Sequence, residues 1–184
     1  MISSQRKKRK EVSVQKIDLE FELNGVPVEA DVEPRSLLAF FLRDHLGVKG
    51  IHVGCDTTNC GACTVLMDGK SVKSCTVLAA RANGTKVTTV EGISSNGNLS
   101  ALQESFARNH ALQCGYCTPG FLMSSLYLLG KNPHPSEEEI RKGLAGNLCM
   151  CTGYLNIIKA VKEASSSNFG SEAGNRNNKN SGGS

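Results

Sequence analysis

The chain has 184 residues, a formal net charge of +4, 19 Gly, no Trp and an aromatic share of only 5%. That length accommodates two small domains or one ordinary one, and so few aromatics exclude a large core; a modest core held by covalent staples is expected. No stretch is apolar for long enough to span a bilayer, and no apolar segment follows the basic run Arg6, Lys7, Lys8, Arg9, Lys10, so that run is not a secretory signal. The expectation is a soluble, cytoplasmic protein, in a compartment where thiols stay reduced and clustered cysteines hold metal. With no aromatic or structured basic surface beside it, the basic run reads as a disordered arm over residues 1–12. Nucleic-acid or membrane binding is the weaker reading.

Residues 14–33 alternate in polarity. Ile17, Leu19, Phe21 and Leu23 share one strand face, Asn24-Gly25 turns the chain, and Val26, Val28, Ala30 and Val32 return. Pro34 breaks the strand, and Ser36 is placed to cap a helix carrying Leu37, Leu38, Phe40, Phe41 and Leu42 that stops near Gly47. A Gly- and Cys-rich loop follows, then a second hairpin through 65–67, Asp68-Gly69 and Val72, and a last strand around 86–90. Strands, one crossing helix and a loop between them predict a small mixed sheet of the β-grasp kind over residues 13–91.

Residues 92–98, GISSNGN, read as a linker. From Leu99 the period turns helical, with Leu102, Phe106 and Leu112 marking a first helix. Thr118 and Pro119 supply a cap and an N1 proline for a helix over 121–129 that ends at Gly130. Ser136 caps a third helix, whose first turn holds Glu137, Glu138 and Glu139, where the helix dipole favours carboxylates. Leu155, Ile157, Ile158 and Val161 mark a fourth. Four short helices on one core predict a four-helix bundle over 99–164, and an α+β fold for the whole. Residues 165–184, rich in Gly, Ser and Asn, predict a disordered tail.

The eight cysteines fall into two sets of four. Cys55, Cys60, Cys63 and Cys75, in GCDTTNCGACTV and KSC, have the Cys-x4-Cys-x2-Cys…Cys spacing of plant-type [2Fe–2S] ferredoxins. Cys114 and Cys117 in QCGYC, with Cys149 and Cys151 in NLCMC, form the second set, at two turns expected at one end of the bundle. A cluster needs four converging thiolates and backbone N–H groups aimed at the sulfurs, and Gly54, Gly61 and Gly115 suit that close approach. Helix starts after Cys117 and Cys151 would direct positive dipole ends at an anionic cluster. Other readings are weaker. Structural zinc commonly repeats a Cys-x2-4-Cys knuckle, which neither set does. A disulfide framework belongs to secreted chains, and a redox dithiol at Cys114 and Cys117 leaves Cys149 and Cys151 without a purpose. His45, His52, His110 and His134 read as surface or loop residues, since each set already supplies four cysteines.

GCDTTNCGACTV with KSC, QCGYCTPG and GNLCMCTGY together resemble the iron–sulfur subunit of the xanthine oxidase/molybdenum hydroxylase family, over roughly residues 14–163. The Cys-Asp-Thr form of the first loop is nearer to the small subunits of carbon monoxide dehydrogenase and of aldehyde or glyceraldehyde oxidoreductases than to animal xanthine enzymes. The resemblance implies a plant-ferredoxin-like N-terminal domain, a four-helix C-terminal domain and two [2Fe–2S] clusters. It also implies two partners, a large subunit with molybdopterin and a medium subunit with FAD, in a heterotrimer or a dimer of heterotrimers. Electrons would leave molybdenum singly, enter the Cys114/117/149/151 cluster, pass to the Cys55/60/63/75 cluster and reach FAD. Gln113 and Cys151 match the residues that approach the pterin. Met150 stands where the family usually has Arg, which should lower the second cluster's potential unless a partner compensates.

An electron-transfer subunit of a molybdenum hydroxylase is therefore the leading reading, with an aldehyde as the preferred substrate. A free-standing two-cluster ferredoxin is the alternative, and a metal-stapled structural module a third. No nucleophile or acid–base pair stands out, so no catalytic residue is expected in this chain.

Overall fold

The computed structural model describes residues 15–94 and 97–166. The basic arm expected over 1–12, and residues 167–184 of the expected tail, lie outside them. The first hairpin forms as the alternation predicts: β1 (Ile17–Leu23) pairs antiparallel with β2 (Val26–Val32), Leu23 opposite Val26. Asn24 and Gly25 make the turn with φ of 53° and 85°, the left-handed geometry that lets a two-residue turn follow the strand twist. The second hairpin repeats the device, β3 (Thr64–Met67) and β4 (Lys70–Lys73) joined through Asp68 and Gly69. β5 (Lys86–Thr88) lies between the hairpins, parallel to β1 and antiparallel to β3, giving the order β2-β1-β5-β3-β4. The Asn24 side chain accepts the Thr89 N–H at 2.8 Å and donates to the Thr89 hydroxyl at 3.0 Å, fixing the end of β5 to the first turn.

Leu19, Phe21, Leu38, Phe41, Leu42, Val65 and Val87 fill the core beneath the sheet, each contributing about 1.5–3 kcal/mol by burial. The crossing helix departs from expectation. Ser36 does not cap it: its N–H goes to the Glu33 carbonyl and its own carbonyl accepts from Ala79. The N-cap is Leu37, and α1 (Leu38–Phe40) widens at once into a π-helical turn, Phe41–His45, where the Leu46 N–H reaches back to the Phe41 carbonyl at 3.1 Å. The widened turn buries Phe41 and Leu42 in the core beneath the sheet. β5 likewise ends at Thr88, two residues short of the expected strand end. Val90–Ile93 forms a 3-10 turn that buries Ile93 in the second core, so the start of the expected linker is packed.

Four helices make up the second half: α2 (Ala101–Arg108), α3 (Thr118–Lys131), α4 (Glu137–Gly143) and α5 (Leu155–Ser166). α2 opens on a capping box between Ser100 and Gln103, and α4 on one between Ser136 and Glu139. Leu112 is not helical: α2 closes at Asn109, and Leu112 stands exposed while Ala111 is buried. Cys117, not Thr118, is the N-cap of α3, with Pro119 in its first turn; the helix runs through Gly130 to Lys131 and ends before Pro133. α5 continues through Ser166, two residues into the stretch expected to be disordered. Leu102, Phe106, Phe121, Met123, Ile140, Ile157 and Val161 share one core, which also takes in Leu66 of β3. The halves meet where α3 crosses the loop before β3. At Gly120 a Cβ would lie 2.1 Å from the Gly61 carbonyl, so only glycine permits this approach. Among the described residues no helix is long and apolar enough to cross a membrane.

Candidate iron–sulfur sites

The loop after α1 is wound tightly, with Asp56, Thr58 and Gly61 all at positive φ. The winding turns backbone donors onto sulfur: the N–H groups of Cys60 and Thr57 reach Cys55 Sγ at 3.3 and 3.5 Å. These bonds bring the Cys55 thiol down to about 6, because they favour the thiolate. Cys63 enters β3 and Cys75 leaves β4, so the hairpin sets them side by side. Ser74 ties the two ends, its hydroxyl donating to the Cys63 carbonyl at 2.7 Å. Both cysteines are buried, and burial, with Cys75 and Cys60 nearby, pushes the Cys63 thiol up to about 11.

The second set comes from two loops. Cys114 and Cys117 lie between α2 and α3, Cys149 and Cys151 between α4 and α5. Cys114 Sγ and Cys151 Sγ are 3.5 Å apart and exposed. Cys117 hydrogen-bonds with Cys149, and burial followed by this contact pushes its thiol up to about 12. At Cys149 burial acts upward but is outweighed by the Thr152 hydroxyl at 3.1 Å and N–H at 3.4 Å, so the thiol is lowered. The Cys151 thiol is raised by its hydrogen bond with Cys114. The Tyr154 hydroxyl accepts the Cys149 N–H at 3.0 Å. α3 starts directly after Cys117, whereas Thr152, Gly153 and Tyr154 separate Cys151 from α5. Gln113 is exposed beside Cys114.

The donor sets suit a two-iron cluster. Cys63 lies with Cys75, Cys117 with Cys149 and Cys114 with Cys151, while Cys55 and Cys60 share the remaining loop contact. Each iron of a [2Fe–2S] centre takes two thiolates. Among the described residues no three His, Cys, Asp or Glu side chains converge on one ion. Thr118 follows Cys117 directly, and its buried hydroxyl has no hydrogen-bond partner among the described residues. No histidine among the described residues joins either set: His45 is exposed on Phe41, and His134 bonds to the Ser165 carbonyl.

Several residues the sequence did not single out clamp the two loops together. The Leu148 N–H donates to the Cys60 carbonyl at 2.9 Å, so a single hydrogen bond and one peptide unit separate Cys60 from Cys149. Asn147, buried, donates to the Gly61 carbonyl at 3.0 Å and accepts from Ser124 at 2.7 Å. Lys73 Nζ reaches Thr64 Oγ1 at 2.9 Å and the Gly146 carbonyl at 3.0 Å. Burial lowers its pKa, against the opposing pull of Cys63, Cys60, Cys75 and Cys55. His52 stacks on Tyr116 with centroids 4.6 Å apart; its Nδ1–H donates to the Tyr116 carbonyl, and the Tyr116 hydroxyl donates to Val53. Nearness in sequence to Cys117, Cys149 and Cys75 was the one hint at Tyr116, Asn147 and Lys73, and it did not show what each would contact.

Residues 21–90 match the 2Fe-2S iron-sulfur cluster binding domain family, and residues 89–162 the [2Fe-2S] binding domain family. The chain is 50% identical over 149 residues to the nicotine 6-hydroxylase small subunit of Paenarthrobacter nicotinovorans, covering 81% of this chain and 90% of that one. Quinoline 2-oxidoreductase from Pseudomonas putida 86 superposes with a TM-score of 0.81 at 44% identity, over 89% of this chain and 98% of the other. Aldehyde oxidoreductase from Desulfovibrio gigas gives a TM-score of 0.80 at 38% identity, over 84% of this chain and 17% of that longer one. Paired cysteines on these two folded halves, with such relatives on both measures, place the chain in the molybdenum hydroxylase family as an iron–sulfur small subunit.

Proposed function

We propose that Cys55, Cys60, Cys63 and Cys75 hold one [2Fe–2S] centre and Cys114, Cys117, Cys149 and Cys151 the other. The chain would then relay single electrons within a multisubunit oxidoreductase. Each centre, when bound, supplies storage for one electron. The protein's part is to hold the thiolates in pairs, to aim N–H and hydroxyl donors at Cys55 and Cys149, and to keep the loops in register. The observation that carries the reading is the Leu148 to Cys60 hydrogen bond, which joins the two cysteine sets through the backbone.

We read the two units as a ferredoxin-like domain over 13–91 and a four-helix bundle over 99–164. The second set opens to the surface, with Gln113, Cys114 and Cys151 exposed among Leu112, Tyr116, Leu148 and the fully exposed Met150. An apolar rim around reachable sulfurs suits a face closed by another chain. Gln113 and Cys151 are the residues proposed to meet the pterin of a molybdenum subunit, with FAD in a medium subunit as the acceptor. A heterotrimer, or a dimer of heterotrimers, is the assembly proposed. An aldehyde substrate accords with the similarity to aldehyde oxidoreductase. The higher identities to proteins named for nicotine and quinoline favour a second reading, a nitrogen heterocycle hydroxylated in the partner.

Iron and acid-labile sulfide are measured on anaerobically purified complex, with EPR during dithionite reduction. About four of each per chain and two signals are expected; zinc in place of iron, or no reducible signal, would sink the reading. Turnover of the complex on aldehydes against nitrogen heterocycles decides the substrate class.

A further inference from the structure

Lys73 is half-buried in the seam between the two halves, and among the described residues its ammonium donates to two neutral oxygens, the Thr64 hydroxyl and the Gly146 carbonyl. The ion pairs among the described residues leave it out. A buried cation without a carboxylate is costly to keep, and its retention points to an anion nearby. The candidates on the page are thiols. Lys73 is two residues before Cys75, opposite Thr64 in the β3–β4 register, and Thr64 follows Cys63 directly. The Thr64 hydroxyl donates in turn to the Gly61 carbonyl, inside the first cysteine loop. Lys73 therefore stands on the ladder that carries Cys63 and Cys75, with its head turned toward the helical half.

We propose that Lys73 is the fixed counter-cation of the first iron–sulfur centre and raises that centre's potential. The proposal rests on the two-centre reading above. A [2Fe–2S] centre with four thiolates is a dianion when oxidised and a trianion when it has gained one electron, with no proton taken up. A nearby positive charge favours the more negative state, so it makes that electron easier to accept. At the second set Met150 stands between the last two cysteines, and among the described residues the side-chain hydroxyls bonded at Cys149 are the neutral Thr152 and Tyr154.

Three variants in the assembled complex separate the charge from the tether, read by EPR-monitored redox titration. Lys73→Gln keeps a donor for Thr64 and Gly146 but loses the charge, Lys73→Met loses both, and Lys73→Arg keeps both. Gln and Met should each favour the oxidised form of the first centre by about tenfold at a given potential, a fall of about 59 mV for a one-electron couple. Arg should restore it, and the second centre should stay in place. An unmoved first midpoint overturns the proposal, as does an equal fall at both centres. A fall with Met but not Gln overturns it too, by assigning the effect to the tether. Absence of iron from the unmutated chain would instead overturn the two-centre reading, so the two failures are distinct.

Discussion

At the scale of single residues, the same thiol chemistry is tuned in opposite directions by a few ångströms of environment. Cys55, on the outer rim of its loop with two N–H donors on its sulfur, is brought to about 6, while buried Cys63 and Cys117 are pushed to about 11 and 12. In metal-free protein, iodoacetamide should therefore label Cys55 first, with a rate rising through pH 6 and level by pH 8. Cys63 and Cys117 should stay nearly unlabelled there; peptide mapping after a timed quench checks the order. Met150, wholly exposed, offers a second residue-scale test: Met150→Arg should raise the second centre's midpoint in a redox titration, by placing a cation beside it. The spacing of the cysteines was legible along the chain, whereas the meeting of Cys63 with Cys75 and of Cys114 with Cys151 is made by the fold. Lys73, Asn147 and Leu148 were not legible. Their roles come from what faces them in the fold: Thr64 and Gly146 for Lys73, Gly61 for Asn147, and the Cys60 carbonyl for a backbone N–H that any residue but proline could supply.

Secondary structure was readable wherever a local rule decided it, and misread wherever packing did. Asn24-Gly25 and Asp68-Gly69 fix their hairpins through backbone geometry, and Ser136 with Glu139 closes a capping box, all without help from elsewhere. Ser36 resembles a cap but is taken by Ala79, and Thr118 loses the N-cap to Cys117 because the loop places the cysteine there. The contact between α3 and the first cysteine loop is an element-scale property that no pattern announces. Gly120→Ala would set a methyl against the Gly61 carbonyl and push the helix off. The expected cost is about 1–3 kcal/mol in urea unfolding, with a weaker magnetic coupling between the centres. α2 and α5 are joined by charge as well as by their core. Arg108 Nη2 meets Glu163 at 2.7 Å, and Asn109, foremost, and Arg108 hold that carboxyl below its ordinary value. A lowered carboxyl stabilises the fold above its ordinary pKa and stops doing so as pH falls through the lowered one. The melting temperature of the native chain should therefore exceed that of Glu163→Gln at pH 7, and the gap should narrow as pH falls below the ordinary carboxylate value of 4.5.

For the molecule as a whole, the seam matters more than either half. The sheet half and the helical half keep separate cores, yet Gly61 is touched from α3 and from the loop before Cys149, and the Cys60 carbonyl is bonded by Leu148. If that bond carries electrons, Leu148→Pro, which deletes the N–H, should slow transfer between the centres several-fold while iron content stays constant. Rapid-freeze EPR after mixing with substrate and partner subunits would show the second centre reduced while the first lags. Equal rates in the two proteins would exclude the route.

The position of β5 bears on how the chain comes into being. Two hairpins can each close on their own, but among the described residues only Lys86–Thr88 joins them in the sheet, and it pairs with Glu22 and Leu23 some sixty residues earlier. Non-local closure of this kind is slow, because the intervening chain must surrender its freedom before the pairing repays it. On a ribosome Cys55, Cys60, Cys63 and Cys75 all emerge before the strand that joins their two hairpins into one sheet. They therefore precede the closed sheet, and their loop and hairpin stand exposed on an unfinished sheet for that interval.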